Sequence, residues 1–174
     1  GTNLPSLVIE DVNAPRDADL NLSSISFESY FAGISHETFH NLQHSLGSWE
    51  LKGTPKWLHE GMAQFMSYLA LAKFKSDSNY YSTKVPSILD PFNYARQKCV
   101  SRIEDADDYC NYFQGLYVSQ YFVERFGITS YISYLVNSDR TAEFNTNFKS
   151  ATGIDYVDFI KDANAYLKRI DWLS

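Results

Sequence analysis

The stretch SHETFHNLQH, residues 35–44, sets three of the chain's four histidines within nine positions. On an α-helix, residues four apart differ by about 40° in direction and ~6 Å in rise, so His36 and His40 can aim at one point in space. Glu37 is turned by about 100° from His36; it cannot join the pair as a ligand but can reach a water on the same ion. This is the spacing H-E-x-x-H. Neutral imidazoles bind Zn²⁺ without cancelling its charge, so the ion can draw the pKa of water from about 15.7 towards ~7 while a neighbouring carboxylate takes the proton. His44 stands about 12 Å further along the helix than His36, too far to share an ion held about 2 Å from each nitrogen, and reads as a polar residue near the helix end.

Outward from this motif, a helical period begins near Ser29 and runs to about His44, with Gly47 as its stop. Phe31, Ile34, Leu42 and Leu46 fall on one apolar side, whereas Ser29, Ala32, Gly33 and Gln43 keep the histidine face small or polar, as an open site requires. A second helix is expected from Thr54-Pro55, an N-cap followed by proline, to about Lys75, with an apolar stripe of Leu58, Met62, Phe65, Leu69 and Ala72. Its first turns carry WLHEGMA, residues 57–63, where Glu60 lies opposite that stripe and Gly61 permits a close helix approach. A carboxylate carried into an interior costs several kcal/mol unless it is paired or binds a cation, which makes Glu60 the candidate third ligand. The competing reading is a salt-bridged acid favoured by the helix dipole.

Residues 6–12 and 20–28 alternate like strands, and 76–108, rich in Ser, Asp, Asn, Tyr and Pro, reads as a long irregular segment. Three helices are expected at about 111–126, 129–150 with a break near Asn137-Ser138-Asp139, and 155–169. The expected class is α+β, mainly α. One domain covers 1–174, with a β segment at 1–28, zinc-binding helices at 29–75, a loop at 76–108 and a helical subdomain at 109–174.

With 174 residues, 44% of them apolar, the chain can bury a proper core. Its net charge of −6 argues against nucleic acid, whose binding needs clustered Lys and Arg, and no apolar run reaches the length that spans a bilayer. Cys99 and Cys110 suit a small disulfide loop, two free thiols being the alternative. With Asn21-Leu22-Ser23 as a sequon, the pair points to a secreted, extracellular or periplasmic protein.

H-E-x-x-H, followed after nineteen intervening residues by the Glu of W-L-x-E-G-x-A, resembles the gluzincin zinc metallopeptidases. The resemblance implies Zn²⁺ held by His36, His40 and Glu60, with Glu37 as general base in hydrolysing a peptide or protein substrate. Looser likeness in Tyr112-Phe113-Gln114-Gly115, Tyr121–Gly127 and Ala151-Thr152-Gly153 extends it to the "peptidase MA" group and a zincin-like catalytic domain over about 29–169. The aminopeptidase branch's G-x-M-x-N segment does not occur in 1–35, which favours an endopeptidase. Gln64 stands where many relatives carry an acid beside the ligands. Tyr112 and Tyr117, on the segment after the loop, are the candidate oxyanion donors. The alternative is a non-catalytic zinc-bearing binding domain of the same fold.

Overall fold

The computed structural model describes residues 26–47, 51–77, 79–89, 94–99 and 101–170, and every regular element among them is a helix. The described fold is therefore all-α, which corrects the expected α+β class with its N-terminal β segment. Residues 6–12 and 20–25 lie outside the described residues. At 26–28, where a strand was expected to end, a helix begins: Ser26 Oγ accepts from the Ser29 N–H at 3.1 Å, and Glu28 sits in the first turn. A local cap and an acid at the positive end of the helix dipole outweigh three residues of alternation.

Helix α1 (Phe27–Ser45) ends at Leu46 and Gly47, the latter at φ +89°, the left-handed region that glycine enters without cost. Helix α2 (Met62–Lys75) continues from a π-helical turn, Trp57–Gly61. Leu58, Met62 and Phe65 of the expected stripe are buried, but further along α2 the buried side continues through Tyr68 and Leu71 while Leu69 is exposed. α1 packs along α2, and Lys75 Nζ donates to Glu28 Oε1 at 2.6 Å, tying the end of one to the start of the other.

The expected loop at 76–108 contains helices α3 (Tyr80–Leu89) and α4 (Tyr94–Lys98) and a 3₁₀ turn at Ile103–Asp105. Their polar composition conceals them, because each short element is anchored by one or two buried groups, Val85, Ala95, Cys99 and Ile103, too few to set a period. Cys99 and Cys110 are disulfide-bonded. Asp107 caps α5 (Asp108–Phe126), accepting from the Cys110 N–H at 2.7 Å, and Gly127 closes it.

The expected break near Asn137-Ser138-Asp139 separates α6 (Ile128–Asn137) from α7 (Phe144–Thr152). Asn147 clamps the turn between them, accepting from Asp139 N at 2.9 Å and donating to Asp139 O at 2.8 Å. α8 (Tyr156–Arg169) follows Gly153. α5 packs against the π turn, α2, α6 and α8 around Trp57, Phe122, Tyr131, Phe148 and Phe159, all nearly inaccessible. Trp57 stacks on Phe159 with ring centres 5.5 Å apart, and its indole N–H donates to Tyr156 Oη at 3.0 Å.

Candidate metal centre

The buried side of α1 is not the expected Phe31, Ile34, Leu42 and Leu46 face. Leu42 is 47% exposed, whereas Ala32, His36 and Gln43 are buried. The polar groups in that seam pair through His36 and His40 Nε2, Glu60 and Gln43, while His36 Nδ1 is buried without a hydrogen-bond partner. His36 and His40 lie edge to face with ring centres 4.6 Å apart and Nε2 atoms 2.9 Å apart. From the π turn, Glu60 Oε2 comes within 3.4 Å of His36 Nε2 and 3.2 Å of His40 Nε2.

Donor atoms arranged tetrahedrally about a cation at about 2.0–2.1 Å stand roughly 3.3 Å apart. The three observed separations bracket that value, and two imidazoles with one carboxylate form a zinc-type donor set. This His36, His40 and Glu60 group can hold a metal ion. Burial disfavours charge on Glu60, but its hydrogen bonds with His36 and His40 prevail and hold the carboxyl well below the usual range, so it is anionic at neutral pH. For His40 burial pulls the other way, and the Glu60 carboxylate overcomes it and raises the imidazole's pKa.

Glu60 reaches this point because Gly61 leaves room behind it. A Cβ on Gly61 would run into the backbone of Gly115 on α5, so the π turn lies directly against that helix. The same packing sets the Tyr112 ring, on α5, parallel to His36 at 5.8 Å. Burial, with the carboxylates of Glu60 and Glu37 nearby, raises the Tyr112 hydroxyl's pKa, so it remains a donor at neutral pH.

A groove of about 300 Å³ borders the triad, lined by Gly33, His36, Glu37, Gln64, Tyr68 and Tyr112 among others. Glu37 is exposed and lines this groove, one position from a ligand and outside the ligand group, with its charge acting on His40 and Tyr112. Tyr117, five residues after Tyr112, does not line this groove; it packs against the core near Tyr68 and Tyr81. His44 is exposed and apart from the cluster, and the His59 ring is lowered in pKa chiefly by burial.

One residue escaped sequence reasoning as a partner of the ligands. Gln43 bonds a ligand histidine: its Oε1 lies 2.6 Å from His40 Nδ1. Gln43 follows His40 by three positions, so the helix period alone brings them together, but a glutamine on an open face gives no sign that it will be buried.

Among the described residues, no helix is long and apolar enough to cross a membrane. No protein-family model matches this chain, and no curated protein or solved structure matches it either.

Proposed function

We propose that this protein is a zinc-dependent peptide hydrolase of the gluzincin type, cutting within peptide or protein chains. The observation that supports this most is the meeting of His36 and His40 Nε2 with Glu60 Oε2, from two separate helices, beside a groove whose edge carries Glu37. A bound Zn²⁺ supplies Lewis acidity that brings the pKa of water towards ~7 and polarises a carbonyl. The Glu37 carboxylate takes a proton from the water whose oxygen bonds to the peptide carbonyl carbon and passes it to the amine nitrogen as the C–N bond breaks, giving a carboxylic acid and an amine. Tyr112, held protonated, donates a hydrogen bond to the oxygen on which negative charge develops. The Cys99–Cys110 bridge supports an exported protein, since such bonds persist in oxidising surroundings.

The test joins metal analysis to activity. The purified protein is expected to hold about one zinc per chain, lost in His36→Ala, and to cleave members of a diverse peptide library while Glu37→Gln does not. A protein without zinc refutes the metal reading. Zinc retained with no cleavage by either form indicates instead the non-catalytic binding domain.

A further inference from the structure

We infer that Gln43 is the positioning residue of the metal centre, fixing both the ring of His40 and the backbone that carries Glu60. The inference rests on the zinc reading above and names a residue on which that site depends.

Gln43 is completely buried. Its Nε2 donates to His59 O at 3.1 Å and to Tyr131 Oη at 2.7 Å. The Tyr131 hydroxyl has a single proton, which goes to Leu58 O at 3.3 Å, so its oxygen is the acceptor from Gln43. Two acceptors on one end settle which way round the amide lies. Its carbonyl oxygen must face His40, and it does, 2.6 Å from Nδ1. A carbonyl only accepts, so His40 must carry hydrogen on Nδ1. The lone pair of the neutral ring is then on Nε2, the atom that meets His36 and Glu60.

Gln43 also holds the backbone next to Glu60. His59, whose carbonyl Gln43 grips, immediately precedes it, and Leu58, which receives the Tyr131 proton, is one position earlier. The route Gln43 to Tyr131 to Leu58 therefore links α1, α6 and the π turn in one buried network. A single side chain on the histidine helix sets the orientation of one ligand and the placement of the turn bearing another. Groups in this role typically change metal affinity by about 10–100-fold when removed.

Two substitutions separate positioning from bulk stability. Gln43→Met fills the same space without polar atoms, and Gln43→Glu keeps the acceptor towards His40 while giving up both donors. Zinc affinity is measured by competition with a chromophoric chelator, and thermal unfolding of the zinc-free protein is followed by circular dichroism. Gln43→Met is expected to bind zinc about 10–100-fold more weakly. Gln43→Glu is expected to melt earlier when zinc-free and, because it keeps the acceptor towards His40 while losing the hold on the Glu60 turn, to lose less zinc affinity than Gln43→Met. Unchanged affinity in Gln43→Met, or affinity losses in both variants that simply follow their melting temperatures, would overturn the inference. Nitrogen NMR of the zinc-loaded, unsubstituted protein needs neither variant to fold: a proton on His40 Nδ1 is expected, and a proton on Nε2 would refute it. If the unsubstituted protein binds no zinc, the zinc reading falls with the inference; if it binds zinc and these measurements fail, the inference alone falls.

Discussion

Gly61 and Gly115 touch backbone to backbone: a Cβ built on Gly115 would stand 3.0 Å from the Cα of Gly61, and one built on Gly61 would overlap the Gly115 peptide. This contact seats the π turn against α5 and so brings Glu60 and Tyr112 to the same place. Gly61→Ala is expected to destabilise the protein by about 3 kcal/mol or more and to lower zinc affinity with it, because backbone must move. Gly33→Ala is the control. Nothing lies within 4 Å of its added methyl, and loss of a helical glycine should leave stability equal or raise it by up to about 1 kcal/mol. Urea unfolding of both variants checks the contrast.

Glu37 and Glu60 should separate activity from binding. Glu37 is exposed beside the groove and outside the triad, so Glu37→Gln is expected to keep zinc while losing about 10²–10⁴-fold in kcat. Glu60→Gln is expected to lose both zinc and activity. Metal content and turnover measured on the same samples decide it, and equal zinc loss in the two variants would contradict the assignment.

Tyr112 and Tyr117 lie on one helix but face different surroundings. Tyr112 stacks on His36, whereas Tyr117 packs against the core. Tyr112→Phe is expected to reduce kcat by about 10²-fold with zinc retained, and Tyr117→Phe to change it little. Steady-state kinetics of the pair measures this, and the reverse order would assign the donor to Tyr117.

Alkaline pH should unfold the protein cooperatively. Tyr68 and Tyr134 are pushed up to about 12 by burial, whereas an unfolded tyrosine ionises near 10. Raised folded values mean that this stability is fully present below about pH 10 and is lost as the pH rises towards 12; each group accounts for roughly 3 kcal/mol. The last part of the tyrosinate absorbance rise should therefore coincide with the loss of helical circular dichroism. Completion of the absorbance rise with the helices intact would contradict the burial of these rings.

The bridge between Cys99 and Cys110 fastens the end of α4 to the first turn of α5, near Tyr112. Gln114 reinforces the junction, donating to Cys99 O at 2.8 Å and Ser101 O at 2.9 Å. Replacing both cysteines by serine is expected to cost about 2–3 kcal/mol, read as an earlier urea midpoint. No change would mean that the Gln114 bonds suffice.

The meeting of His36, His40 and Glu60 was legible in the sequence because helix spacing fixes the histidines and an acid on an otherwise apolar helix needs a partner. Helical segments ended by Gly47, Gly127 and Gly153 were legible for a similarly local reason, since glycine closes a helix in the left-handed region. What escaped depends on partners distant in the chain. The burial of Gln43 is decided by Tyr131 and His59 O, and no local pattern foretells it. The apolar side of α1 was misjudged because α2 meets the helix on its histidine face, leaving Leu42 outside. The helices at 80–98 escaped because burial of a few residues outweighs weak intrinsic preference.

The π turn has a consequence for how such a chain can change. A turn of this kind is an ordinary helix with one residue to spare. Deleting or inserting a single residue usually throws everything downstream out of step. Around Trp57–Gly61, removing one would instead restore the common pitch and swing Glu60 off its bearing while the helix survived. One codon can thus divide a metal-holding descendant from a metal-free one of nearly the same shape.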